Sequence, residues 1–207
     1  MTDQDTARED LAFMRAIVEE RGPVDGTSGL LLLTAGVLYG VQCLANWALL
    51  AMDAQVSTAV WMAVGWLPTI IFLIINFAYV WKDRANPFGT GTSKRAMNAA
   101  FSGAGIANAV LALAFGWVAW QRKDWSIWLM FPAVVCALQG AVWYVAAILR
   151  RRLWLGLVSA GWFATAAILT VLTRQVEPYL LVLGLALFLF MALPGYVMWK
   201  SSAPEKA

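Results

Sequence analysis

Apolar residues in this chain fall in long uninterrupted blocks rather than in stripes. Six stretches, 29–52, 57–81, 96–120, 125–149, 153–173 and 178–199, hold no Asp, Glu, Lys or Arg. A bilayer core about 30 Å thick is crossed by roughly 20 apolar helical residues, and lipid offers backbone groups no partner outside their own segment. The pattern therefore predicts an all-α polytopic membrane protein with six transmembrane helices. A cytoplasmic N-terminal segment, 1–28, precedes them and a cytoplasmic tail, 200–207, follows. No strand-type alternation runs through the blocks, which argues against an outer-membrane barrel. The connections 53–56, 82–95, 121–124, 150–152 and 174–177 are short, so successive spans are expected to be antiparallel neighbours.

Composition agrees with this reading. Hydrophobic residues make up 61% of the chain and charged residues 13%, against about 45–50% and about 25% in soluble domains. The basic residues are distributed by side. Arg8, Arg15, Arg21, Lys82, Arg84, Lys94, Arg95, Arg150, Arg151, Arg152, Lys200 and Lys206 fall on the side of the termini, and only Arg122, Lys123 and Arg174 on the other. The positive-inside rule then puts both termini in the cytoplasm of a bacterium, with the spans in its inner membrane. The first block follows 28 mostly polar residues and is itself long enough to span, which does not read as a cleavable signal sequence. The net charge of +3 is spent on topology rather than gathered in a patch, so no nucleic-acid partner is expected. The expected partners are the lipid bilayer and either a second copy or another membrane protein.

The N-terminal segment has the grammar of a water-exposed helix. Thr6 and Glu9 form a capping box, Gly22 and Pro23 stop the helix, and the residues between place Leu11, Phe13, Met14, Ile17 and Val18 on one face. That apolar face needs a cover: the cytoplasmic ends of the protein's own spans, a partner or second copy, or the membrane surface. Against the last, the segment is acidic and the inner leaflet is anionic. The block from Asp10 to Arg21, followed by a Gly-led first span, resembles the opening of an uncharacterised family of small multi-span membrane proteins from proteobacteria. The resemblance implies a membrane fold and no particular activity.

Small residues suggest how the spans pack. The third span, from Ala96 to Ala109, has Gly, Ala and Ser on nearly every face, which predicts a central helix approached from several directions. Gly36 and Gly40 in the first span, and Gly156 and Ala160 in the fifth, have GxxxG-type spacing, suited to packing within the monomer or to a dimer seam. Pro68, Pro132 and Pro194 all fall in even-numbered spans, which end in similar aromatic and basic residues. Three repeated hairpins are one explanation of that order, and headgroup-boundary anchoring is another.

The chemistry available inside the membrane is narrow. The chain has no histidine, which removes imidazole as a ligand or base, and no charge lies inside a span to relay protons or couple ions. Gly89 to Lys94 lacks the spacing of a phosphate loop and reads as a cytoplasmic connection. Cys43 and Cys136 read as small apolar fillers. No catalytic residue, metal site or cofactor is expected. What remains is amide, hydroxyl and indole. Counted at about 1.5 Å per residue, Gln42, Asn108, Gln139 and Thr165 lie within roughly 5 Å of one depth near the midplane, and Asn46 shares the face of Gln42. These groups can bond helices together or hold a neutral, zwitterionic or amphipathic ligand. Of the 12 tryptophans, Trp47, Trp61, Trp66, Trp117, Trp120, Trp125 and Trp128 gather toward the outer side. Some belong to an aromatic belt; Trp66, Trp117 and Trp128 are candidates for an outward vestibule. Two functions follow: a non-catalytic accessory or regulatory protein docking through its cytoplasmic helix, or a small passive carrier using the amides and tryptophans.

Overall fold

A computed structural model describes residues 26–83 and 92–202. The face formed by Leu11, Phe13, Met14, Ile17 and Val18 lies outside the described residues. Every described element is helical: α1 (Gly26–Ala51), α2 (Thr58–Asp83), α3 (Thr92–Arg122), α4 (Ser126–Arg150), α5 (Leu153–Val171), a 3₁₀ turn (Leu172–Arg174), α6 (Val176–Leu187), a π segment (Phe188–Ala192) and α7 (Leu193–Ser202). Six helical stretches are long and apolar enough to cross a membrane, the sixth being α6, the π segment and α7 together. The chain is an all-α six-helix membrane protein.

The spans stand in an open row. α1 packs against α2 on one side and against α6, the π segment and α7 on the other; α5 packs against α6 and α4; α4 packs against α3. The order across the molecule is thus α2, α1, the sixth span, α5, α4, α3. Sequence neighbours are spatial neighbours except at the longest connection. The second and third spans, expected to be antiparallel neighbours, stand at opposite ends of the row. The sixth span, returning to α1, closes the middle instead.

This order overturns the central placement of the third span. Among the described helices α3 packs closely on α4 alone, and a side chain added at Gly103 or Gly105 would meet nothing. Its seam to α4 uses Met97, Phe101, Ala104, Asn108, Phe115 and Ala119, spaced three and four apart. Small residues on the remaining faces are open rather than shared among neighbours. Burial follows the same order: none of the most apolar stretch of α2 is buried and 6% of that of α3, against 33% in α5 and in the sixth span. The core lies between α4, α5 and the sixth span, where Trp143, Trp162, Tyr179, Leu155, Leu169 and Cys136 are the largest fully enclosed side chains.

The tightest seam joins α1 to the sixth span through glycine. A Cβ on Gly29 would stand 2.6 Å from the Trp199 backbone nitrogen, one on Gly36 would overlap the backbone of Ala192, and one on Gly195 would overlap that of Leu33. Gly40 lies under the Phe188 ring and Gly184 under Leu44. The Gly36 and Gly40 pair therefore serves the interior of the monomer. Gly156 and Ala160 do not: Gly156 has open space beside it and Ala160 is exposed.

Each proline deep in a span is matched by a donor from a neighbouring helix. Proline lacks an amide hydrogen and its ring crowds the preceding turn, which leaves a carbonyl there without a backbone partner. Three residues before Pro68, the Gly65 carbonyl accepts from Gln42 Nε2 of α1 at 2.8 Å. Three before Pro132, the Leu129 carbonyl accepts from the Tyr179 hydroxyl of α6 at 2.5 Å. Four before Pro194, the Phe190 carbonyl, inside the π segment, accepts from Trp162 Nε1 of α5 at 3.0 Å. Prolines and π turns are tolerated in lipid where neighbouring groups re-satisfy the freed backbone. The recurrence of proline in even spans thus reflects three separate carbonyl bonds, each to a different donor type.

Candidate functional site

The amides reach one depth, but the row separates them sideways. Gln42 and Asn46 sit on α1 toward α2. Gln42 donates to Gly65, and Asn46 Nδ2 donates to the Gln42 carbonyl at 2.9 Å. Both are half-buried and occupied by backbone. Thr165, buried in α5, donates back to the Gly161 carbonyl one turn earlier at 2.8 Å. Asn108 and Gln139 face the α3·α4 seam. The midplane groups are therefore divided among three places, with α1, the sixth span and α5 standing between Gln42 and Gln139.

The tryptophans do not line a common chamber either. Trp66 and Trp117, on opposite flanks of the row, are 64% and 63% exposed, as lipid-facing belt residues are. Trp128 stacks on Phe131 at 5.1 Å and lies over Gly116 of α3. It is a packing residue of the α3·α4 seam.

That seam is chemically distinct from the others. Phe101 meets Trp143 edge to face at 5.7 Å, and Phe115 meets Phe131 at 6.3 Å. Between these contacts the Asn108 Oδ1, Gln139 Oε1 and Trp143 Nε1 atoms are buried with no hydrogen-bond partner among the described residues. Trp143 is 1% exposed. Elsewhere buried polar side chains are matched: Ser159 donates to the Gly140 carbonyl at 2.7 Å where Phe163 also covers Gly140. Sequence reading found the two amides by their depth. It missed Trp143, whose position toward the inner half of its span suggested packing alone; its spacing of four from Gln139 was the available signal.

A shallow groove of about 250 Å³ between α4 and α5 is lined by Met130, Ala133, Ala137, Ala166, Thr170 and Thr173 among others. Its hydroxyls are turned inward: Thr170 donates to Ala166 O and Thr173 to Thr170 O. The groove presents an apolar surface to lipid. Among the described residues no group of His, Cys, Asp or Glu is placed to hold a metal.

Outside the spans, the turn from α3 to α4 is organised by Asp124. Its Oδ1 accepts from the Ser126 hydroxyl at 2.6 Å and the Ser126 amide at 2.9 Å. These two bonds hold the Asp124 carboxyl below the usual carboxylate range. The chain matches no family model, no curated protein and no solved structure.

Proposed function

We propose that this is a non-catalytic accessory or regulatory protein of the bacterial inner membrane, with both termini in the cytoplasm. In this reading it works by lateral association with other membrane helices. The split among its glycines carries the proposal. In the α1 seam to the sixth span, glycine is used to the limit of backbone contact. Gly65, Gly103, Gly105 and Gly156 have the same small profile but nothing beside them. Glycine in a helix costs about 1 kcal/mol relative to alanine, and in lipid its compensation is close approach by another helix. Around Gly103 and Gly105, Ser102, Ile106 and Ala109 are exposed as well, which makes the outer face of α3 the foremost contact. The amphipathic segment 6–21, through Leu11, Phe13, Met14, Ile17 and Val18, supplies the second contact on the cytoplasmic side.

The alternative, a passive carrier for a neutral, zwitterionic or amphipathic ligand, draws less support. Its site requires Gln42, Asn46, Asn108, Gln139 and Thr165 in one chamber under Trp66, Trp117 and Trp128, and these stand on separate seams and faces.

A photo-crosslinking residue at Ser102 tests the association in living cells. The expected product is a protein adduct, weakened by Gly103→Leu and by deletion of residues 1–21. Adducts to lipid alone would overturn the reading.

A further inference from the structure

The α3·α4 seam buries two acceptors and one donor, each without a partner: the Asn108 and Gln139 side-chain carbonyls and the Trp143 indole N–H. Their placement brings them toward one point. The ring contacts Phe101 with Trp143 and Phe115 with Phe131 fix an antiparallel register in which Asn108 lies within about a turn of Gln139. Gln139 and Trp143, four residues apart, share a face of α4. Side chains on a helix lean toward its own N-terminus. Those of Gln139 and Trp143 therefore lean toward the Lys123 turn, while that of Asn108 leans the opposite way to meet them. Ala104, buried one turn from Asn108, is the small residue that leaves room at the seam.

An unpartnered polar atom is costly anywhere in a protein interior and more so at bilayer depth. Three at one seam are complementary to a guest that donates two hydrogen bonds and accepts one. Water does this and sits in buried polar sites with about three bonds. A lipid or alcohol hydroxyl accepts but donates only once, leaving one carbonyl unpaired. We infer that the α3·α4 seam holds one buried water, donating to Asn108 and Gln139 and accepting from Trp143. The flank helix α3 is then fastened at mid-depth by an exchangeable molecule, whereas the Gln42, Tyr179 and Trp162 bonds fasten their helices directly.

The sign of a stability change tests this. Thermal unfolding of the full chain in detergent would be compared for Trp143→Phe, Asn108→Leu and Gln139→Leu. With a bridging water each substitution lowers the Tm, and the Asn108 and Gln139 pair together lowers it by less than their separate shifts combined. A rise in Tm for Trp143→Phe would show a dry, unpaired indole and overturn the site. A neutral Trp143→Phe, with Asn108 and Gln139 coupled only to each other, would also overturn it in favour of a direct amide pair. A second measurement stands apart from variant folding. In the ¹⁵N-tryptophan-labelled wild type, the indole resonance missing from Trp143→Phe should show a magnetisation-transfer peak at the water frequency. A peak at lipid or detergent frequencies instead would replace water by a hydroxyl headgroup, and no transfer peak at all would overturn the site.

Discussion

Two seams in this molecule solve helix association in opposite ways. Between α1 and the sixth span, glycine brings backbone against backbone and leaves almost no side chain in the interface. Between α3 and α4, aromatic rings hold the helices apart and polar atoms are enclosed among them. The first seam gains from close van der Waals contact, which is the main driving force for helices in lipid. The second trades that contact for hydrogen-bonding capacity at mid-depth. The difference teaches that the centre of the row is a fixed frame, while its α3 flank is attached in a way that responds to what occupies the seam.

The largest effect should come from adding bulk to the frame. Gly36→Leu drives a side chain into the Ala192 backbone, which cannot rotate away. Its cost should reach the top of the range of about 1–3 kcal/mol for overpacking, or exceed it. The control, Gly103→Leu, faces open space and should stay within about 0.5 kcal/mol. Circular-dichroism melts in detergent compare the two; equal losses would erase the distinction between frame and flank.

Next come the donors to the proline turns. Trp162→Phe strands the Phe190 carbonyl inside the π segment and should cost about 1–2 kcal/mol. Tyr179→Phe should behave alike at Leu129. Gln42→Leu, at the half-buried flank side of α1, should cost less. A reversed order would mean that the flank bond, and not the core bonds, holds the frame.

The third expected effect is a gain. α3 ends in Lys123 with φ of 52°, a left-handed conformation that costs a non-glycine residue roughly 1 kcal/mol. Lys123→Gly should recover about that amount, and an unchanged or lower Tm would locate the turn's stability in the Lys123 side chain. The smallest effect is the pH response of the same turn. Bonds from Ser126 hold the Asp124 carboxyl below its unfolded value, so their contribution is present above the ordinary carboxylate range. It is lost as pH falls through the lowered folded value. Asp124 is fully exposed, so the difference between wild type and Asp124→Ala should be slight and should vanish in acid.

Much of this architecture was legible in the chain. Charge excluded from six blocks named the spans, and the Gly36 and Gly40 spacing marked a close approach. Depth was legible too, because helical rise is constant and residues can be counted from a charged end. Lateral order was not. The midplane level of Gln42, Asn108, Gln139 and Thr165 says nothing of which helix stands beside which, and a single chamber required an adjacency that the row does not have. The third span misled for a related reason: small residues permit close neighbours on every side without supplying them. The carbonyl bonds at Pro68, Pro132 and Pro194 could have been sought, since each proline announces an unpaired carbonyl and each donor lies at matching depth.

The π segment carries a consequence for the length of the chain itself. A π turn holds one residue more than the α-helical turn it replaces. Removing a single residue from Phe188–Ala192 would restore an ordinary helix, turn everything beyond it by about 100° and draw it in by about 1.5 Å. Gly195 and Met198, now enclosed, would swing away from α1, and the Trp162 indole would lose the carbonyl it serves. In this stretch the number of residues matters more than their identity: exchanging Leu189, 54% exposed, for another apolar residue is a small change, whereas losing it would re-index the end of the protein.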